Sequence, residues 1–259
     1  GDILHAADVI ACEDTRVTGK LLVILGIKRG DGGGRLLAYH DHNAAHRRPL
    51  VMERIKNGGS VALVSDAGTP LVSDPGYKLV AACVADGLTV TAVPGPSAPV
   101  MALTLSGLPT DRFFFQGFLP AKGAARRTAL AEIAAVPATL VFMESGPRLA
   151  ASLADMAQVL GPRPAAVARE LTKKCEEVRR GTLDDLAAHY AEAGPPRGEI
   201  CVVAGPPGAE AQATAADIDA LLTEALAKGS VKDAAAEVAA RTGQPRKALY
   251  ARALELKRE

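Results

Sequence analysis

Ser60-Val-Ala-Leu-Val-Ser-Asp-Ala-Gly-Thr-Pro-Leu-Val-Ser-Asp-Pro-Gly76 is an apolar run that empties into a loop of small residues and then into a helix. Val61, Ala62, Leu63 and Val64 are apolar without alternation and bounded by turn formers, the pattern of a short central strand buried on both faces of a sheet. In open α/β sheets, ligands sit beyond the carboxyl ends of the strands. Asp66, Ala67, Gly68, Thr69 and Pro70 fall there, with no bulky side chain to hold a ligand off the backbone. Asp74 reads as the N-cap of the next helix and Pro75 as its first residue, where the missing N–H costs nothing.

Upstream, residues 8–14 read as a strand ending in two carboxylates, Glu13 and Asp14, near the same sheet edge as Asp66. Thr15 and Arg16 open a helix that Gly26 stops. Residues 35–40 read as a short strand leading into His40-Asp-His42. Only His46 and carboxylates stand nearby, so no metal is expected. A helix over residues 44–57 follows. Downstream, a helix over residues 75–86 precedes a β-rich run at residues 88–93, which ends in a second small-residue loop, Pro94-Gly-Pro-Ser-Ala98. Two strands of one sheet that end in backbone-exposing loops are suited to grip one cofactor. The cofactor contacts are therefore expected at residues 66–70 and at Pro94, Gly95, Ser97 and Ala98.

Gly107-Leu-Pro109 divides a first α/β domain, residues 1–108, from a second, residues 109–205, in which adjacent strands and βα units alternate as in a mixed α+β sheet. Residues 206–215 are rich in Pro, Gly and Ala and read as a linker. Residues 216–259 hold three helical segments, with Ser230 and Asp233 placed as a capping pair. Arg246 and Lys247 open the last helix, where charge and helix dipole together favour phosphate. A dimerisation or capping tail is the competing reading of this segment.

The chain is 48% hydrophobic and 23% charged, which places it with globular proteins and excludes a disordered or fibrous one. With 3% aromatics and no Trp, base-stacking platforms are not expected. The net charge of +1 is uninformative, but basic pairs recur, among them Arg126-Arg127 and Lys173-Lys174, and keep an anionic partner in view. Cys12, Cys83, Cys175 and Cys201 lack C-x-x-C spacing, which argues against zinc and disulfides and for a reducing cytoplasm. No stretch approaches the ~18 apolar residues of a membrane span. The sequence opens at Gly1-Asp2 without Met, and an N-terminal piece beyond it is expected.

Glu13-Asp-Thr-Arg16, His40-Asp-His-Asn43, Leu63-Val-Ser-Asp-Ala-Gly-Thr-Pro70, Asp74-Pro-Gly-Tyr77 and Pro94-Gly-Pro-Ser97 resemble the signatures of the tetrapyrrole methylase superfamily. Gly117-Phe-Leu-Pro120, Arg126-Arg127, Glu144-Ser145, Ala168-Arg-Glu-Leu-Thr172 and Ala248-Leu-Tyr250 resemble its branch acting on small-subunit ribosomal RNA. The match runs in order over nearly the whole chain. It departs at the start, where family members carry a strand and a Thr-Pro-Ile-Gly-Asn-Leu loop, so the first domain is expected without its first strand.

The resemblance implies S-adenosylmethionine bound between two α/β domains, with Met143 and Ala168 as contacts from the second. It also implies the 2′-hydroxyl of a decoding-centre cytidine in 16S ribosomal RNA as acceptor, the assembled small subunit as substrate, and a homodimer. The missing G-x-G-x-x-G fingerprint agrees with a methyltransferase that is not of the Rossmann type. A neutral ribose hydroxyl needs a general base or a nearby cation. Glu13 and Asp14 with Arg16 are the expected catalytic group, ahead of Glu144 and Glu170; a carboxylate that merely caps a helix and pairs with Arg16 is the structural alternative. Arg126, Arg127, Lys173, Arg246 and Lys247 are the expected phosphate contacts. Two other functions compete: a tetrapyrrole C-methyltransferase, which has no use for a basic helical tail, and a non-catalytic RNA-binding factor, which would bind no S-adenosylmethionine.

Overall fold

The computed structural model describes residues 1–27, 35–207, 215–242 and 244–257. Residues 208–214 of the expected linker lie outside them. The chain divides into two compact units, Gly1–Ala98 and Pro99–Glu259.

In the first unit, helix α1 (Asp2–Ala6) leads into strand β1 (Val9–Cys12), helix α2 (Thr15–Ile24), strand β2 (Arg35–Ala38), helix α3 (Ala44–Lys56), strand β3 (Val61–Val64) and helix α4 (Tyr77–Ala85). The strands form a parallel sheet in the order β2-β1-β3. Their carboxyl ends therefore share one edge, carrying His40, Glu13, Asp14 and Asp66. One core, around Ala11, Tyr39, Val51, Met52, Leu79 and Cys83, packs α3 and α4 on one face. A second, around Ile10, Leu22 and Ile27, packs α2 on the other.

Three expectations fail here. β1, not β3, is the central strand, and β3 is only half-buried because it stands at the sheet's edge. The run at residues 88–93 has no ladder partner among the described residues and is largely exposed. Its β propensity describes fit to a paired, half-buried surface, which it lacks. α4 starts at Tyr77 with Gly76 as N-cap, and Asp74 makes no capping bond. Gly76 holds φ +133, and a Cβ there would lie 2.6 Å from Leu63 Cδ2, so the turn needs glycine where the helix begins.

In the second unit, helix α5 (Ala98–Ser106) precedes strand β4 (Phe113–Phe118), helix α6 (Gly123–Ile133), strand β5 (Thr139–Ser145), helix α7 (Gly146–Leu160), strands β6 (Pro164–Arg169) and β7 (Glu177–Thr182), helix α8 (Leu183–Ala193) and strand β8 (Glu199–Ala204). The mixed sheet runs β4-β5-β8-β6-β7. Leu140, Phe142, Ala165, Val167, Ile200 and Val202 meet Leu130, Leu149, Leu153, Met156, Leu183 and Leu186 in its core. Thr182 and Asp185 close a capping box on α8.

Helices α9 (Ala215–Leu226), α10 (Val231–Thr242) and α11 (Arg246–Leu256) share their own core of Leu222, Ala225, Ala234, Ala235, Val238, Leu249 and Ala253. Arg252 clamps Asp219 with two bonds of 2.8 and 2.6 Å, tying α11 to α9. Ser230 accepts the N–H of Asp233 at 3.2 Å, which bears out the expected cap.

Candidate active site

The carboxyl edge of the parallel sheet gathers acidic groups under different constraints. Asp14 is the N-cap of α2: its Oδ1 accepts the backbone N–H of Arg16 at 2.7 Å. The Arg16 guanidinium grips both oxygens, the closest contact being Nη2 to Oδ2 at 2.6 Å. These bonds pull the Asp14 carboxyl down to about 2. The backbone N–H of Asp14 in turn donates to Asp66 Oδ1 at 3.3 Å, joining the ends of β1 and β3.

Glu13 stands one residue earlier in the opposite condition. It is half-buried. Burial raises its pKa above the ordinary carboxylate value, and the charges of Asp66, Asp74 and Asp41 raise it further.

The loop after β3 is held in an unusual backbone. Leu71 and Ser73 take φ +73 and +62, although neither is glycine. Residues forced into this region cost energy and cluster where a loop must keep one shape. Ser65 Oγ donates to the Ala67 carbonyl at 2.5 Å and accepts the Ala67 N–H at 3.1 Å, folding the loop on itself. Thr69 Oγ1 donates to the Pro96 carbonyl at 2.7 Å, so the two small-residue loops touch. At Gly68, with φ +75, a Cβ would meet nothing within 4 Å: the loop presents backbone to open space. A ligand with polar groups to match backbone N–H and C=O fits such a surface.

The other expected residues lie in the second unit. Met143 and Ala168 both pair with Cys201, standing in one row across β5, β8 and β6. Ala168 is buried and Met143 half-buried. Glu144 is buried, accepting from Ser152 Oγ at 2.5 Å and the Ser145 N–H at 2.8 Å, with Arg148 Nε at 3.2 Å. Glu170 accepts from Lys173 Nζ and from the Glu199 N–H, both at 2.9 Å, and these bonds lower its pKa. Lys173 also reaches Glu199 at 3.1 Å.

Arg126 overturns a sequence expectation. Its Nε donates to Asp155 Oδ2 at 2.6 Å inside the α6–α7 contact, and the residue is buried, so it offers phosphate nothing. Asp155 lies 29 residues further along the chain, which is why the basic pair reads as a surface pair in sequence. Arg127 reaches the same carboxylate at 3.0 Å but stays exposed. Arg246 and Lys247 are exposed at the start of α11. Cys12, Cys83 and Cys201 are buried, and Cys175 is exposed. Among the described residues, no group of three or more His, Cys, Asp or Glu is arranged to hold a metal, and no helix is long and apolar enough to cross a membrane.

Residues 2–187 match the family model of tetrapyrrole (corrin/porphyrin) methylases, and residues 212–257 match that of the RsmI C-terminal HTH domain. Among solved structures, a cobalt precorrin-4 methyltransferase of cobalamin biosynthesis aligns with TM-score 0.54 and 18% identity, over 79% of this chain and 86% of that one. A uroporphyrin-III C-methyltransferase from Thermus thermophilus, complexed with S-adenosyl homocysteine, aligns with TM-score 0.50 and 18% identity, over 78% and 87%. The chain thus belongs to the tetrapyrrole methylases and, within them, to the family of ribosomal RNA small subunit methyltransferase I. A relative of that name from Mesorhizobium japonicum is 53% identical over 99% of this chain and 85% of its own length. Relatives of the same name from Mycobacterium tuberculosis and Escherichia coli O157:H7 are 49% and 45% identical, over 99% and 98% of this chain and 88% of each of theirs.

Proposed function

We propose that this chain methylates the ribose 2′-hydroxyl of cytidine 1402 in 16S ribosomal RNA, with S-adenosylmethionine as methyl donor and the assembled small subunit as substrate. The observation that carries the reading is the near full-length likeness to relatives named ribosomal RNA small subunit methyltransferase I. The chemistry of the acidic edge agrees with it.

S-adenosylmethionine supplies an activated methyl group on a sulfonium whose thioether leaves neutral, so the protein's part is alignment and proton removal. Residues 66–70 together with Pro94, Gly95, Ser97 and Ala98 bind the donor through backbone groups. Met143 and Ala168 are contacts on the family resemblance alone. Glu13 takes the hydroxyl proton, since a carboxyl raised above its ordinary value is the better base near neutral pH. Asp14 and Arg16 hold the start of α2 and with it the position of Glu13.

Arg127, Arg246 and Lys247 neutralise phosphates. Residues 216–259 act as the RNA-docking tail, and the working form is a cytoplasmic homodimer.

The test is transfer of labelled methyl from S-adenosylmethionine to unmodified small subunits, with the product mapped. Label on the ribose of that cytidine is expected. Label on a base, or transfer to a tetrapyrrole alone, overturns the proposal.

A further inference from the structure

Helix α3 carries its positive charge in two groups with opposite surroundings. Near its end, Arg54 Nη2 lies 3.0 Å from Asp8 Oδ1 and Lys56 Nζ lies 2.7 Å from Asp86 Oδ2. Both cations stand in the last turn, where the helix dipole favours them. At its start, His46 and Arg47 fall in the first turn and Arg48 follows directly, with no acidic residue in that turn. A cation there opposes the dipole and costs stability.

No ion pair offsets that cost. Among the described residues, neither Arg47 nor Arg48 has an ion pair or a side-chain hydrogen bond. Arg47 is exposed. Arg48 is half-buried, and its Nε is buried without an acceptor. A buried donor on a charged group is expensive to leave unpaired. Where a helix breaks its own construction rules twice in adjacent residues, the compensation is to be sought in a site.

The place of these residues says which site. Tyr39 N–H donates to the Cys12 carbonyl at 2.7 Å, so the ends of β2 and β1 lie side by side. The chain then turns at once: Asn43 Oδ1 accepts the His40 N–H at 2.9 Å, and the Ala44 N–H donates to the His40 carbonyl at 2.8 Å. α3 therefore starts at the carboxyl edge that carries Glu13. At about 1.5 Å per residue, Arg47 and Arg48 stand within ~6 Å of the helix start along its axis. His42 and His46 are exposed beside them, and Asp41 is the one acid in residues 40–52.

We propose that Arg47 and Arg48 bind the ribosomal RNA backbone next to the nucleotide that receives the methyl group. Phosphate supplies what both residues lack, a negative charge at the helix start and oxygen acceptors for guanidinium N–H groups. Such contacts position a strand without reading its sequence. The inference rests on the proposed function for its RNA and adds a phosphate-binding surface in the first unit to the cations of the second. The carboxylate of S-adenosylmethionine is the other anion of the reaction, and the test separates the two.

The experiment measures binding of the full chain to unmodified small subunits over ~50–200 mM salt. Calorimetry with S-adenosylmethionine and thermal unfolding are run on the same proteins. Arg47→Gln and Arg48→Met are each expected to reduce the slope of log affinity against log salt by about 1, and the double variant by about 2. Arg54→Gln removes the same charge from the same helix, but a paired one, and is expected to leave the slope unmoved. In the double variant the KM for subunits is expected to rise with kcat unchanged, and S-adenosylmethionine affinity to stay as it was. Its Tm is expected to hold or rise, because two cations leave the start of a helix.

An unmoved slope in the folded double variant overturns the inference, and so does an equal loss in Arg54→Gln. Weakened S-adenosylmethionine binding with subunit binding intact also overturns it and assigns the arginines to the donor's carboxylate. A lowered Tm with the slope unmoved makes them structural. If the slopes behave as expected and no ribose is labelled, the proposed function fails and the RNA-binding surface stands. If the ribose is labelled and the slopes do not move, this inference alone fails.

Discussion

Replacing Arg126 with Met separates a phosphate contact from a structural pair. The Arg126 side chain is 7% exposed and that of Asp155 is 11% exposed, so the substitution leaves a carboxylate inside the α6–α7 contact without its nearest partner. Removing one member of a buried pair costs ~3–5 kcal/mol. Asp155 keeps Arg127 at 3.0 Å, on a side chain 44% exposed, so the low end applies, about 3 kcal/mol. Met conserves the apolar stem, and no large cavity is added to that figure. For a unit of this size each kcal/mol lowers Tm by ~2–4 °C, so a fall of ~6–12 °C is expected. A double variant with Asp155→Leu is expected to recover part of it, because both charges then leave the interior together. Far-ultraviolet circular dichroism during heating measures this, with subunit methylation assayed well below the transition. A Tm held within about 2 °C, with a raised KM for subunits, would refute the reasoning, since the guanidinium would then be serving RNA.

Glu13→Gln is expected to lower kcat by ~10²–10⁴-fold with S-adenosylmethionine affinity intact, and a smaller loss would remove Glu13 as base. Methylation should fall as pH drops through the raised Glu13 pKa; Asp66→Asn removes a like charge, favours ionised Glu13 and moves that acid limb to lower pH in a pH–rate profile. Gly68→Val places a branched side chain at φ +75 in the space facing the loop, and calorimetry should show S-adenosylmethionine binding abolished. Unchanged affinity would make the loop purely structural. Deleting residues 213–259 is expected to leave cofactor affinity unchanged and to reduce subunit methylation, and equal methylation would sink the docking role of the tail.

Much of the fold is written in local pattern. The unbroken apolar run of β3, the glycine after α2 and the Ser230–Asp233 cap act within a few residues of themselves. The fates of residues set by distant partners are not written there. Residues 88–93 carry strand propensity, yet pairing needs a neighbouring edge that propensity does not supply. Glycine stands at the start of α4 because Leu63, from another element, leaves no room for a Cβ at Gly76. Arg126 and Arg127 are adjacent and chemically alike, and only the position of Asp155 on α7 sends one inward.

The same logic chooses among the carboxylates. A general base must be unpaired when it meets its proton, and its pKa must not lie far below the working pH. Asp14 fails because Arg16 and the helix N-terminus hold it near 2. Glu144 fails because its side chain is wholly buried and already accepts from Ser152 and the Ser145 N–H. Glu170 fails because Lys173 and the Glu199 N–H stabilise its charge. Glu13 has a raised pKa, and the cause is burial at the end of the central strand, with the charges of Asp66, Asp74 and Asp41 adding to it. In the sequence Glu13 and Asp14 are neighbours with the same charge. The helix that begins at Thr15 separates them, because its first turn binds Asp14 and leaves Glu13 to the sheet edge.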